Sequence, residues 1–330
     1  MFMRQLEYLV AVAREGHFGR AAEACRVSQP GLSAGIRKLE EELGLPLVIR
    51  SHRFLGLTLE GERVLAWAQR MVADYNGMRQ DLSDASSGLS GTLRIGAIPA
   101  AIPALPALVN GFCARYPNVR VQLLSLASTA IQRGLDTLDI DAGVTYFENE
   151  PLARVRSLAL YDETYVFVTA AGAFSGRNAI GWSEAAAHPL CLLTSDMQNR
   201  RIVDRILAEA GVTSNPRIEA NTFLGVWSLV RSGAWSGIVP HTYLETFEAP
   251  DHLVALPLVD PVHSQSVGVV TSDRDPQSPL AGAFMRHAAR RLGRERCPAG
   301  GSHRLRLRAL IAEGYQSLPP NDWTGRRPRP

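Results

Sequence analysis

Side chains able to contact bases and phosphates gather in the segment "VSQPGLSAGIRKLE" (27–40). Ser28 is a good helix N-cap, and Pro30 is tolerated in a first helical turn. Apolar residues spaced by three and four then define a buried stripe, which leaves a slim polar face opposite. Glutamine can pair with adenine edges, serine with bases or phosphates, and arginine or lysine with phosphates. The residues predicted to face DNA are Ser28, Gln29, Pro30, Ser33, Arg37 and Lys38. Taken alone, the pattern leaves a groove-reading helix and a solvated surface helix equally open.

A second basic feature follows in "LGLPLVIRSHRFLGLTLEG", which predicts a hairpin with strands near 46–50 and 54–58. Arg50 and Arg53 lie near its tip. Arginines on a projecting wing are placed to enter a minor groove or to clamp phosphates. Without the preceding helices, the same residues are typical of an exposed turn.

Residues 58–87 then form one long periodic segment that predicts a single helix. Its apolar positions repeat at four, three, four, three and four residues, as in the a/d seam of a coiled coil. These positions are Val64, Ala68, Met71, Tyr75, Met78 and Leu82. The repeat predicts a dimerisation helix, although packing against the rest of the chain produces the same pattern. A dimer would bind two-fold DNA sites.

Composition sets the class of protein. The chain has 330 residues, 46% of them hydrophobic, which is typical of a soluble protein of two or three domains. No stretch predicts a membrane span or a secretory signal, and the four cysteines lie far apart without ligand spacing. We therefore expect a cytoplasmic protein with free thiols and without a metal, a cofactor or a membrane partner.

Charge gives little indication of a partner. Residues 1–90 carry 11 basic and 11 acidic side chains, and the net charge of +3 arises from residues 293–330, which hold eight arginines and three acids. This tail, rich in proline, glycine and arginine, predicts a weakly ordered basic appendage that is either solvated or in contact with nucleic acid.

Beyond the Ser/Gly-rich hinge at 86–91, short apolar strands alternate with helical segments, as in parallel βα units. The order predicts two α/β lobes with a cleft between them. Expected domains are 1–57, a linker helix with hinge at 58–91, lobe I at 92–161 and 267–292, lobe II at 162–266, and the tail at 293–330.

Binding sites in such folds lie at strand ends and helix N-termini, where free N–H groups favour anionic ligands. The candidate ligand-contacting residues are Pro99, Ala100, Ser128, Thr129, Thr145, Thr194, Gln198, Thr222 and Phe223. Each serine or threonine among them is alternatively a simple helix cap.

The motifs expected of common enzymes are missing from this sequence, including a dinucleotide fingerprint, a phosphate-binding loop, HExxH and GxSxG. We therefore predict no catalytic residues and no enzymatic activity. The alternative is a cytoplasmic small-molecule-binding protein or a hydrolase-like α/β enzyme without a role at DNA.

Residues 3–65 closely resemble the winged helix-turn-helix head of LysR-type transcriptional regulators. The matching motifs are "F-x-R-A-A", "V-S-Q-P-x-L-S-x-x-I-R-K-L-E", "L-G-x-P-L-x-x-R" and "L-T-x-E-G". The resemblance implies an α/β multidomain protein with this head, a long linker helix and a two-lobed effector domain like periplasmic binding proteins. It also implies double-stranded DNA, a small-molecule effector and a second copy of the chain, as homodimer or homotetramer, as partners.

Two departures from the family pattern affect the expected base preference. Gly19 stands where many members have a serine or threonine cap, and Ala34–Gly35 lack longer polar side chains. Gly35 costs about 1 kcal/mol in a helix interior; it either allows closer approach to DNA or is simply tolerated. More faintly, "LTSDMQNRRI" and "VPHTYL" resemble regulators that accompany formate dehydrogenase genes.

Overall fold

The computed structural model describes residues 2–50, 54–174, 176–247 and 249–295. The chain divides into two compact units, one made essentially of residues 1–89 and the other beginning at Ser90. The division falls within the Ser/Gly-rich segment predicted as a hinge. From residue 296 onward, the predicted basic tail lies outside the described residues.

The first unit is a winged helix-turn-helix followed by a long helix. Its elements are α1 (Met3–Glu15), α2 (Phe18–Ala24), α3 (Gln29–Leu43), β1 (Val48–Arg50), β2 (Phe54–Leu57) and α4 (Leu59–Ser87). The predicted apolar stripes form its core, with Leu9, Leu32 and Leu39 fully buried. Leu43, the last residue of the predicted stripe of α3, is instead exposed, because the helix ends there against Gly44 in a left-handed conformation.

The second unit is built from alternating strands and helices. In chain order they are β3 (Gly91–Ala97), a 3-10 turn (Pro99–Ala104), α5 (Leu105–Arg115), β4 (Val119–Ser125), α6 (Ser128–Asp136), β5 (Ala142–Tyr146), β6 (Val155–Ala170), a second 3-10 turn (Gly172–Phe174), β7 (Ile180–Gly181), α7 (Trp182–Ala186), β8 (Leu190–Leu193), α8 (Gln198–Glu209), β9 (Ile218–Ala220), α9 (Phe223–Val230), β10 (Ser236–Pro240), α10 (His241–Thr246), β11 (Leu253–Val259), β12 (Ser264–Ser272) and α11 (Pro279–Glu295).

The strands form one continuous sheet with the order β4-β3-β5-β12-β6-β10-β8-β9. The strand β3 pairs in parallel with β4 and β5, and β8 pairs in parallel with β9 and β10. These two parallel groups are the cores of the two predicted lobes, so the α/β, two-lobed architecture is confirmed.

A single strand joins the lobes. Residues 155–164 of β6 pair with β12 in lobe I, and residues 165–168 pair with β10 in lobe II. The sequence predicted only the second half of this strand, "ETYVFVTA", because the polar residues Arg156, Ser157 and Asp162 interrupt the apolar pattern before it. The buried residues Tyr161, Glu163 and Tyr165 alternate with exposed ones at the crossing. One face of the crossing strand therefore buries side chains that end in polar groups.

Candidate DNA-reading helix and ligand site

Helix α3 presents a polar face because its apolar stripe is fixed in the core. Ser28 Oγ accepts a hydrogen bond from the Gly31 N–H at 3.2 Å and caps the helix as predicted. Leu32, Ile36 and Leu39 are fully buried. Five of the predicted DNA-facing residues are exposed, with Ser33 half-buried; the exposed ones are Ser28, Gln29, Pro30, Arg37 and Lys38. The arrangement suits insertion of this helix into a groove.

Gly35 has an explanation inside the head. A Cβ added there would lie 2.7 Å from Cδ2 of the Tyr8 ring. The close approach indicated by this glycine is therefore to a side chain of α1. The base preference of the helix does not depend on Gly35 being near DNA.

The capping of α2 also differs from the family pattern noted above. His17 Nδ1 accepts hydrogen bonds from the backbone N–H of Gly19 at 3.0 Å and of Arg20 at 3.4 Å. The imidazole thus satisfies N–H groups that a serine or threonine cap satisfies in other helices.

The predicted wing is an antiparallel pair in which Val48 lies opposite Leu57. Arg50 ends β1, and its side chain lies outside the described part of the protein, as does Arg53. Contact between the wing arginines and DNA stays a prediction.

The exposed apolar stripe of α4 is shifted from the predicted seam. Ala68 is fully buried in the head core, and Val64 packs against the same core. Trp67, Met78 and Leu82 are 63%, 54% and 71% exposed, and Met71 lies between them on the exposed side. Tyr75 is half-buried with Arg79 against its ring. The first part of the seam therefore serves the subunit itself, and the face available to a second copy begins at Trp67, which the sequence analysis missed.

In the second unit, the first turn of α8 contacts the loop after β5, so lobe II reaches lobe I. Gln198 Nε2 donates to the Glu148 carbonyl at 3.3 Å, and Asn199 Nδ2 donates to the Tyr146 hydroxyl at 2.8 Å. Gln198, one of the predicted ligand-contacting residues, thus lies where the two lobes make contact.

An ion pair lies beside these contacts. The Arg201 guanidinium donates through Nε and Nη2 to both carboxylate oxygens of Glu150, at 2.6 and 2.7 Å. The predicted residue Ser128 donates to the same carboxylate at 3.3 Å. These bonds hold the pKa of Glu150 below its usual value, with the bond from Arg201 as the largest cause. Arg201 and Glu150 thus form a latch between the lobes.

A second set of contacts joins lobe II to the turn after β3. The Tyr243 hydroxyl donates to the Pro99 carbonyl at 2.8 Å, and the ring of Phe223 lies 4.7 Å from that of Tyr243. Ala100 is buried in the same turn. The structure thus brings Pro99, Ala100 and Phe223 into one region, and their contact with a ligand stays a prediction.

A buried carboxyl group lies where the lobes meet. Glu163 is fully buried on β6; one of its oxygens accepts a hydrogen bond from the Tyr146 hydroxyl, and Oε2 has no hydrogen-bond partner among the described residues. Burial raises the pKa of Glu163 to about 8. Burial and the nearby Glu163 also raise the pKa values of the Tyr146, Tyr165 and Tyr243 hydroxyls.

The remaining predicted ligand residues are Thr129, Thr145, Thr194 and Thr222. Thr129 is exposed, and exposed Thr222 caps α9 by accepting from the Gly225 N–H at 3.2 Å. Contact of either residue with a ligand stays a prediction. Thr145 is buried on the face of β5 opposite to Tyr146, because strand side chains alternate. Within the described residues, the Thr145 and Thr194 hydroxyls are buried without hydrogen-bond partners.

The cysteines of the described chain are poor candidates for redox chemistry. Burial raises the pKa values of the Cys25, Cys113 and Cys191 thiols, which disfavours the reactive thiolate. In the same part of the chain, the histidine, cysteine and acidic side chains form no group suited to hold a metal ion. Nor is any described helix of sufficient length and hydrophobicity to cross a bilayer.

Two family models match the two units just described. Residues 3–62 match the bacterial regulatory helix-turn-helix protein model of the lysR family, and residues 86–293 match the LysR substrate binding domain. The chain belongs to the LysR family of transcriptional regulators. As a LysR-type regulator it is not an enzyme, and the predicted family membership and function are confirmed.

Individual relatives agree with this assignment. The regulator is 28% identical over 286 residues to the DNA-binding transcriptional dual regulator OxyR of Escherichia coli, covering 86% of this chain and 92% of the relative. A structure of a full-length OxyR variant from Pseudomonas aeruginosa is 27% identical with a TM-score of 0.72, covering 88% of this chain and 97% of that one. Full-length CbnR, solved with its target DNA, shares the fold at 22% identity and a TM-score of 0.63, with coverage of 88% and 99%. The fainter resemblance to regulators that accompany formate dehydrogenase genes stays a prediction.

We expect the latch of this LysR-type regulator to contribute about 1 kcal/mol of coupling between the lobes. Both side chains of the Arg201–Glu150 pair are 34% exposed, which limits the energy, but the two parallel bonds raise it toward the top of the range for surface pairs. A double-mutant cycle of Arg201→Ala and Glu150→Ala, followed by urea unfolding, measures this coupling. The control is Arg177–Glu184, which lies within lobe II and is more exposed. A coupling at Arg201–Glu150 no larger than that of the control would contradict the latch.

Proposed function

We propose that this LysR-type regulator binds two-fold DNA sites as a dimer or a tetramer, and that a small molecule held between the lobes of its second unit controls this binding. The observation that carries the DNA-binding part is the capped helix α3, whose buried stripe fixes its orientation while its polar face stays exposed. We place the protein in the cytoplasm, where its DNA partner is found.

The effector part of the proposal is supported by the polar contacts between the lobes. These contacts involve buried side chains. Two of the buried oxygens, Glu163 Oε2 and Gln198 Oε1, have no hydrogen-bond partner among the described residues. Buried polar atoms without partners are costly, so a ligand that satisfies them gains binding energy. Closing or opening the lobes around such a ligand gives two states of the unit.

Relatives that are 28% identical to this chain include a hydrogen peroxide-inducible genes activator. Peroxide sensing through cysteine needs an accessible, low-pKa thiol. Since the three described cysteines have raised pKa values, we assign control of this protein to non-covalent binding of a ligand rather than to oxidation of those thiols.

For DNA recognition, we expect Gln29→Ala and Ser33→Ala to reduce discrimination between the specific site and random DNA by about 1–3 kcal/mol for each lost base contact. Arg37→Ala removes a phosphate contact, so it should weaken binding to both DNAs and flatten the salt dependence. Fluorescence anisotropy with the gene's own upstream DNA and with a scrambled duplex, at two salt concentrations, separates the two effects.

The matched control is Gln122→Ala, which removes an exposed glutamine from β4 in the second unit. It should leave both affinities unchanged. Equal weakening of specific and random binding by Gln29→Ala would remove its base-reading role, and failure of the unmodified protein to bind the upstream DNA at low salt would overturn the proposed function.

A further inference from the structure

We propose that Glu163 is the recognition point of the ligand site and that the site takes a small molecule carrying a positively charged amine. This inference rests on the proposed function, since it names the chemical class of the ligand that controls the regulator. It is carried by the position of Glu163, by the partners of its two carboxyl oxygens and by the charges around it.

The position of Glu163 couples it to both lobes. It lies on the part of β6 that pairs with β12 of lobe I, directly opposite Gln265, and two residues before Tyr165, where pairing with β10 of lobe II begins. Its Oε1 is joined through the Tyr146 hydroxyl to Asn199 of α8 in lobe II. A group that binds Glu163 therefore acts on the contacts by which the lobes meet.

The second carboxyl oxygen of Glu163 can accept a further hydrogen bond. Oε2 is buried and has no hydrogen-bond partner among the described residues. The nearby phenols come from three elements: Tyr146 from β5, Tyr165 from β6 and Tyr243 from α10. Burial and, to a smaller extent, Glu163 raise the pKa of each. An acceptor carboxyl surrounded by aromatic side chains is the combination that recognises ammonium groups, through ion pairing and cation–π attraction.

The charges around Glu163 favour a cation over an anion. No basic side chain of the described residues contributes to the pKa of Glu163. Two of the three arginines of α8 are held by other carboxylates, Arg200 by Asp204 and Glu219, and Arg201 by Glu150. The third, Arg205, acts on the Glu150 carboxylate. The acid Glu148 also raises the pKa of the Tyr165 hydroxyl. An anionic ligand would find no basic partner at Glu163, whereas an ammonium ion would pair with the carboxylate form of Glu163.

The sequence analysis expected an anionic ligand at helix N-termini such as that of α9. This helix end does not change the preference of the site for a cation. Its first N–H groups are capped by Thr222, whose hydroxyl accepts from the Gly225 N–H. This end of the helix is therefore already partly satisfied within lobe II.

Binding of a cation has a proton signature. With a pKa of about 8, Glu163 is mostly protonated at pH 7 while the site lacks a cation. An ammonium ion favours the carboxylate, so its binding releases close to one proton and its affinity rises about tenfold from pH 6 to pH 7. The phenols of Tyr146, Tyr165 and Tyr243 have raised pKa values and stay neutral in this range. Glu148 is the other acid nearby, and His263 bonds to Gln265 opposite Glu163, so His263→Asn controls for a contribution of the imidazole.

The test uses full-length protein and probes that differ only in their head group. Primary alkylammonium ions from methyl to hexyl are compared with alkanols and carboxylates of equal chain length, by thermal unfolding at pH 8 and constant ionic strength. We expect a concentration-dependent rise in Tm with at least one ammonium ion and none with its alcohol or carboxylate counterpart. Glu163→Gln should abolish the rise, whereas Glu184→Gln, which alters an exposed lobe II carboxylate, should retain it. Calorimetry in buffers of different ionisation enthalpy measures the released proton.

Three results would overturn the inference: no rise with any ammonium ion, a rise that survives Glu163→Gln, or a Glu163-dependent rise with carboxylates alone. DNA binding by the unmodified protein in the same preparation separates these failures from failure of the proposed function. If the upstream DNA is bound while the amines fail, the regulator assignment stands and the ligand class is wrong.

Discussion

Gly61→Ala is expected to destabilise the helix-turn-helix head strongly and so to weaken DNA binding. A Cβ added at this position of α4 would lie 2.0 Å from the Leu47 carbonyl oxygen and 2.9 Å from its carbonyl carbon. The obstacle is backbone, which cannot rotate away as the end of a side chain does. We expect a loss of about 3 kcal/mol in the free energy of unfolding, at the upper end for overpacking.

The clash could be relieved only if the segment around Leu47 moved, and the hydrogen bonds of this segment oppose that movement. The Glu40 carboxylate accepts from the N–H groups of Leu47 and Val48 at 2.9 and 3.1 Å. Thr58 Oγ1 donates to the Pro46 carbonyl at 2.7 Å and accepts from the Gly61 N–H at 2.9 Å. Shifting the segment by the required distance breaks several of these bonds together, so the strain is not easily relaxed.

Gly77→Ala is the matched control, because it makes the same change in the same helix. The nearest atom to an added Cβ there is 3.8 Å away. Without a clash, the better helix propensity of alanine should stabilise the helix by up to about 1 kcal/mol. Circular dichroism melting and a gel shift measure both variants. If the Gly61→Ala and Gly77→Ala variants have the same melting temperature, the close packing of α4 on Leu47 is refuted.

The head was predictable from sequence to the extent that its determinants are local. Ser28, Pro30 and the apolar stripe that begins at Leu32 lie within one segment, so cap, turn and periodicity fix the helix and its exposed face. The reason for Gly35 was not accessible, because its partner Tyr8 is 27 positions away and meets it only after α1 packs on α3. The same holds for Ala68: its heptad position predicted a dimer contact, but the residue is buried in the core of the head.

In the second unit, alternation of strands and helices was enough to predict two lobes, but not the group that joins them. A glutamate within "YDETY" gives a weak signal by itself: it shares its strand phase with Tyr161 and Tyr165, which predicts burial. Its partners Tyr146 and Asn199 come from other elements, so only the fold brings them together. Thr129 and Thr222 were favoured by their places at helix starts, and capping alone accounts for Thr222.

Met71→Glu combined with Met78→Glu is expected to dissociate the dimer that we propose. These side chains lie seven residues apart on the stripe of α4 that also includes Trp67 and Leu82, and all four are exposed in the single chain. In a symmetric helix pair, the new carboxylates of one copy would face apolar side chains or carboxylates of the other. Desolvation and repulsion then act four times across one interface. We expect the dissociation constant of the dimer to rise at least about 100-fold, or roughly 2.7 kcal/mol.

The control adds the same charge to the opposite side of the same helix. Gln69→Glu combined with Asn76→Glu preserves the spacing of seven residues but turns away from Trp67 and Leu82 by the helical periodicity of about 100° per residue. Analytical ultracentrifugation should find this variant as associated as the unmodified protein, with unchanged affinity for a two-fold DNA site. The methionine variant should be monomeric and should bind a half-site as before while losing the added affinity of the second half-site. Equal association of both variants would show that the stripe of α4 is not the dimer contact, and the exposed Trp67 would then need another partner.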